Sequence, residues 1–173
     1  TIIPHQDKLF IGSESGMFIY SINDPANPTF LSNFQHARAC DPVFVKDNYA
    51  YVTLRDGTEC EGFINQLDLV DVTNLTAPVL KKTFPMHNPH GLSISGNTLF
   101  VCEGDQGIKS FDISNPLTLD ERQLDHVKPG FAFDVIALPN NLLMIGEDGF
   151  YQFDYTDPSN LEMISAIEKR NCE

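Results

Sequence analysis

The sequence predicts an all-β fold of four repeated four-stranded antiparallel units, and three observations carry that expectation. A polar Asn/Asp turn recurs at a nearly fixed period, short apolar strands alternate with turn signals throughout, and no long segment has helical periodicity. The turn recurs at residues 18–25 (FIYSINDP), 69–75 (LVDVTNL), 109–116 (KSFDISNP) and 152–158 (QFDYTDP). Aligning Pro25, Leu75, Pro116 and Pro158 gives steps of 50, 41 and 42 residues.

Each unit is read as strands a, b, c and d. Strand a is a short apolar run at 43–45, 92–94 and 135–138, followed by a tight-turn signal at 46–48 (KDN), 95–97 (SGN) and 139–141 (PNN). Strand b follows at 9–12, 49–54, 99–102 and 142–146. A glycine then stands before strand c at Gly16, Gly107 and Gly149, where a b–c loop needs positive φ. Strand c runs into the Asn/Asp turn, and strand d is visible at 30–31, 79–84 and 161–167. In the first unit the sequence before strand b supplies only a stub of strand a, at 1–3. A longer b–c loop at 55–65 accounts for the 50-residue step. Four strands per unit of about 42 residues is propeller-blade arithmetic, which predicts one β-propeller domain over 1–173 with blades at about 1–34, 41–84, 90–125 and 133–167.

Composition narrows the partners. The chain has 173 residues, 42% of them hydrophobic, with 13 Phe and no Trp, which suits one globular domain. Its formal charge of −13 repels nucleic-acid phosphates and anionic lipid heads, so neither nucleic acid nor membrane contact by the folded domain is expected. No apolar run is long enough to span a membrane. The sequence opens on Thr1 rather than Met, so a removed signal peptide or lipid anchor is compatible with the reading.

In a propeller the d–a and b–c loops share one face. That rule collects Arg38, Arg55, Asp56, His87, Glu103, Asp105, Glu147 and Asp148 as loop-face candidates. Alignment on the a–b turn makes Asp41, His90 and Asp134 equivalent at the axial start of strand a, where they would ring a channel mouth and bind a polar or cationic ligand. The competing reading has these groups bonding loop amides and joining blades. His87 and His90 flank Pro89, an extended arrangement that turns the two rings apart, so no metal site is predicted. Glu103, Asp105, Glu147 and Asp148 offer hard oxygen donors, but without EF-hand spacing. No cofactor is expected, and calcium is the one ion that their chemistry would suit. No nucleophile elbow, phosphate loop or Cys-x-x-Cys occurs, so no catalytic residue is assigned. Cys40 and Cys60 fall on one face of one blade, where a disulfide is sterically reasonable, whereas Cys102 ends a buried strand as a free thiol.

Residues 66–73 (QLDLVDVT) and 108–116 (IKSFDISNP), with 48–52 (NYAYV) ahead of the first, resemble the LVIVD repeat of bacterial β-propellers. The resemblance covers nearly all of the chain and implies a repeat protein of the cell envelope or a secreted one, often a lipoprotein, with more than four blades in full members. It implies no activity. The expected function is therefore a non-catalytic binding or scaffold propeller for a protein or glycan. The alternative is a hydrolase-type enzyme at the channel mouth, and a purely structural propeller is the third reading. Four blades would form a compact ring, a piece of a larger ring, or a half-ring that closes with a second copy. An open arc leaves blade faces uncovered and is the expected case.

Overall fold

The computed structural model describes residues 1–13, 15–35, 42–56, 65–139 and 141–169. They build sixteen strands in four antiparallel sheets, each of four strands in sequential order, the blades of a β-propeller. The chain divides into two compact units, Thr1–Met86 and His87–Glu173, with two blades in each.

In the first unit, blade 1 holds β1 (Ile2–His5), β2 (Lys8–Ser13), β3 (Gly16–Ser21) and β4 (Thr29–Phe34). Blade 2 holds β5 (Val43–Lys46), β6 (Tyr49–Leu54), β7 (Gln66–Asp71) and β8 (Val79–Pro85). The stub expected at the start is a full four-residue strand: β1 pairs with β2 from Ile2↔Ile11 to His5↔Lys8. Its alternation is weak because Pro4 and His5 interrupt the apolar pattern. Between the two blades lies a core of Phe10, Met17 and Ile19 against Val43, Val45, Ala50, Val52, Leu54, Val70 and Val72.

In the second unit, blade 3 holds β9 (Leu92–Ser95), β10 (Thr98–Cys102), β11 (Ile108–Asp112) and β12 (Gln123–Val127). Blade 4 holds β13 (Ala132–Ala137), β14 (Leu142–Gly146), β15 (Gly149–Asp154) and β16 (Glu162–Glu168). Its core sets Phe100, Cys102 and Ile108 of blade 3 against Ala132, Val135, Leu142, Met144, Tyr151 and Phe153 of blade 4. One element has no counterpart in the sequence reading. A 3₁₀ helix, Pro116–Glu121, delays β12; Asn115 caps it, Pro116 fits its first turn, and buried Leu119 anchors it.

Two local devices repeat. At the b–c loop, Gly16, Gly107 and Gly149 have φ of +142°, +75° and +153°. A Cβ at each would lie 2.2–2.3 Å from the strand-d carbonyl of Phe34, Val127 or Ile167. Only glycine lets strand d close on the start of strand c there. At the c–d turn, two side-chain caps follow one another three residues apart. Asp71, Asp112 and Asp154 accept from the N–H groups of Thr73, Ser114 and Thr156 at 2.9, 2.8 and 2.7 Å. Asp24, Asn74, Asn115 and Asp157 then accept from Ala26, Thr76, Leu117 and Ser159. These are Asx turns, in which a short carboxylate or amide replaces a backbone acceptor.

The turns present a carbonyl to the preceding blade. Ser32 donates to the carbonyl of Leu75 at 2.5 Å, and Ser110 donates to that of Pro158 at 2.7 Å. Leu75 and Pro158 occupy the same repeat position, so the same atom joins blade 1 to blade 2 and blade 3 to blade 4.

The Asx-turn carboxylates tie stability to pH. Asp112, Asp154 and Asp157 are held below the usual carboxylate range, first by the hydroxyls of Ser114, Thr156 and Ser159 and then by the neighbouring N–H groups. Asp71 is lowered to about 2 by the Thr73 hydroxyl and N–H, with Lys81 adding to them. A lowered folded-state value means that the stabilisation is complete above the unfolded value of about 4 and is lost as pH falls through the folded value. The urea midpoint should therefore hold from pH 7 to about 5 and fall steeply between about pH 4 and 2. The triple substitution D71N/D112N/D154N, which keeps an Asx acceptor without a titrating group, should flatten that fall. An unchanged acid limb would remove these turns as its cause.

Candidate functional site

The loop face divides into three groups of differing availability. The first is internal to the protein. Glu103, just past β10, is fully buried; it accepts from the His87 N–H at 3.1 Å and forms an ion pair with Lys109. His87 in turn lies 3.1 Å from Asp105. Three of the expected loop-face candidates thus tie the entry to blade 3 to its own b–c loop. Burial of Glu103 requires its countercharge, because an unpaired carboxylate in this position keeps the desolvation cost without the Coulomb return. Lys109→Met should destabilise the protein by about 3 kcal/mol or more, while Glu103→Gln, which can still accept from the His87 N–H, should cost less. Chemical denaturation of the two variants measures the difference.

The second group lies where the channel mouth was expected. His90 is buried, and its ring stands edge-on to Phe131 at 5.4 Å and to Phe133 at 5.9 Å between centroids. Phe131 and Phe133 pack at 5.0 Å, and Phe133 keeps 41% of its surface exposed. The main chain fixes this cluster: the His90 N–H donates to the Cys102 carbonyl at 2.7 Å, and the Gly91 N–H donates to the Phe133 carbonyl at 2.9 Å. Asp134 is exposed and accepts from the Val135 N–H at 2.9 Å. Its carboxylate lies over Gly91, where a Cβ would come within 1.8 Å of Oδ1, so only glycine leaves room for it. His90 and Asp134 therefore stand on neighbouring strand starts. The third residue expected with them, Asp41, lies outside the described residues, as do Arg38, Cys40 and Cys60. Arg55 and Asp56 follow β6 in the first unit, and the Asp56 N–H donates to Asn65 at 3.2 Å. Cys102 is a buried free thiol, raised well above its ordinary value by burial and then by the charge of Asp134, so it is held as an unreactive thiol.

The third group is a cleft of about 630 Å³ beside blade 4, lined by Glu147, Asp148, Tyr151, Met163, Glu168 and Lys169 among others. Glu147 and Asp148 were expected on this face; Tyr151 and Glu168 were not singled out. The missed signal is the repeat itself. Tyr151 stands three residues before the turn carboxylate, where the other blades carry Phe18, Asp68 and Lys109. Among the described residues, no three His, Cys, Asp or Glu side chains converge to hold a metal ion, and no helix is long and apolar enough to cross a membrane.

Residues 37–85 and 89–122 match the LVIVD repeat. No curated protein matches the chain. Among solved structures, a functionally unknown protein from Desulfotomaculum acetoxidans DSM 771 superposes with a TM-score of 0.75 at 11% identity, over 98% of this chain and 56% of that one. The β-propeller domain of Cps50 (Swd1) from Myceliophteria thermophila gives 0.66 at 12% identity, over 94% and 55%. Apo AztD from Citrobacter koseri gives 0.61 at 16% identity, over 94% and 46%. At such identities the likeness is one of fold. The chain spans about half the length of these structures.

Proposed function

We propose that this chain, an LVIVD-repeat β-propeller, serves as a non-catalytic binding and scaffold module of the cell envelope or the secreted space, with a protein or glycan as its ligand. The observation that carries the reading is the exposed Phe133 beside Asp134, packed on buried His90 and half-buried Phe131. An aromatic surface next to a carboxylate suits the C–H face and hydroxyls of a sugar or an aromatic-rich protein loop. The same geometry argues against acid–base chemistry at this place. His90 is packed against two phenyl rings in T-shaped contacts, and the best-placed buried acid, Glu103, is committed to Lys109 and His87. Titration with cellohexaose and chitohexaose, followed by NMR, together with a glycan array, tests it. Phe133→Ala should lower the affinity for the bound glycan about tenfold while leaving the melting temperature in place. Turnover of p-nitrophenyl glycosides or esters that Asp134→Asn abolishes would replace this reading with the enzymatic one.

The scaffold role rests on the outward face of blade 4. Leu143, Ile145 and Phe150 occupy the repeat positions of Phe100, Cys102 and Ile108 in blade 3, which are fully buried beneath blade 4. In blade 4 this face is partly exposed: Leu143 and Phe150 are half-buried, Ile145 is 51% and neighbouring Ile167 69% exposed. We propose that this face, patterned to receive a blade, pairs with a second copy of the chain. Light scattering should then give twice the chain mass, and Ile145→Asp should halve it without unfolding the protein. A wild-type monomer at every concentration would overturn the assignment.

A further inference from the structure

The cleft beside blade 4 exists because one repeat position has lost its partner. The strand-c position three residues before the turn carboxylate is buried in blades 2 and 4 and half-buried in blade 3, and blades 2 and 3 satisfy it internally. Asp68 accepts from Gln66 and Thr83, both at 2.7 Å. Lys109 pairs with Glu103, the residue just past β10. In blade 4 these two places are taken by Tyr151 and Gly146. A Cβ at Gly146 would meet the Tyr151 ring at 3.1 Å, so the ring lies over the glycine where blade 3 has its buried acid. Tyr151 is 8% exposed and lines the cleft, and among the described residues its hydroxyl has no hydrogen-bond partner. Tyr151 Oη is not one of the buried polar atoms left without a partner, so the hydroxyl opens onto the cleft, where solvent or a ligand meets it.

The surroundings define what would satisfy it. Asp148 Oδ2 and the Tyr151 hydroxyl flank the same point above Gly130, 3.2 and 3.4 Å from where a Cβ would stand. Glu147 and Glu168 also line the cleft, and among the described residues its one cation is Lys169. Met163, Ala166 and Pro129 supply an apolar wall; Tyr151↔Ala166 and Phe153↔Met163 are cross-strand pairs on one face of the blade. The volume, about 630 Å³, suits a small organic molecule. Acceptors in excess, a net negative lining and an apolar wall together select a cation that carries N–H donors on an alkyl arm. The bare ion is a poor fit, because the described carboxylates do not converge as metal ligands do.

We infer that this cleft is a binding site for a small alkyl-ammonium or alkyl-guanidinium ligand, with Asp148 and the Tyr151 hydroxyl receiving its N–H groups and Met163 and Ala166 its alkyl arm. It is separate from the Phe133–Asp134 surface and stands whether or not that surface binds a glycan.

The test compares butylguanidinium with its uncharged counterpart butylurea, by NMR titration of the full chain at low salt. Butylguanidinium should bind at least tenfold more tightly than butylurea, with shifts centred on 146–151 and 163–169. Tyr151→Phe, which deletes only the hydroxyl, should weaken binding threefold or more at an unchanged melting temperature. Asp148→Asn should weaken it about tenfold, and Phe133→Ala should leave it alone. Equal binding of the two probes, no binding at millimolar concentration, or indifference to Tyr151→Phe would each overturn the inference. So would calcium ion, added alone, binding with the same dependence on Asp148, since that marks an inorganic cation site.

Discussion

The c–d turn is the constraint on which the rest of each unit depends. It must reverse the chain in few residues and also hold one carbonyl, that of Leu75 or Pro158, toward a buried serine of the preceding blade. Such a hydrogen bond adds about 1 kcal/mol, yet an unmet carbonyl or hydroxyl in the same place costs more than its presence gains. The two successive Asx caps fix the turn before any neighbouring blade arrives, because every bond in them is local. Sequence and packing meet at this point. The Asp/Asn–x–Ser/Thr spacing that identifies the repeat is the spacing that aims the carbonyl.

Blade faces follow from that geometry. Once the turn is set, strand alternation sends one row of apolar residues to the blade before and the other to the blade after. The two faces are patterned independently, so a blade can complete one interface and still present the other. Blade 4 does this: Met144, Tyr151 and Phe153 are covered by blade 3, while Ile145 and Ile167 on the opposite side are not. Isolated exposed hydrophobics are ordinary on protein surfaces, but a row at positions buried elsewhere in the same repeat is not.

The parts of the fold that repeat were the parts that could be read from the sequence. Turn residues, the b–c glycines and the strand order are local consequences of local chemistry, and Gly107 and Gly149 occupy the strained positions expected of them. The departures lie where the repeat is edited. Pro116, Leu117 and Leu119 look like the start of a strand d, but Asn115 and Pro116 favour a 3₁₀ turn, which hides β12 behind polar residues. At the site, loop equivalence grouped Glu103 with Glu147, and the structure separates them. Glu103 is fully buried with Lys109 across from it, whereas in blade 4 Gly146 takes its place and Tyr151 that of Lys109, which leaves Glu147 one residue further on, at the cleft. Two acids in equivalent loops differ in role because they stand one residue apart in register and face different residues on the adjacent strand, and periodicity alone does not register that offset.

The same exchange is what leads us to propose a ligand site in the second unit. A repeat that satisfies its own buried polar groups is closed to ligands; Asp68 with Gln66 and Thr83 is an example. Function enters a repeat protein when one copy gives up such a partner while the scaffold on either side stays intact. Blade 4 keeps the turn, the b–c glycine and the inter-blade carbonyl, and changes only the pair behind the b–c loop. The strand pairing on which stability rests is therefore undisturbed. What changes is the lining: a phenol hydroxyl and loose carboxylates face the cleft in place of a closed ion pair.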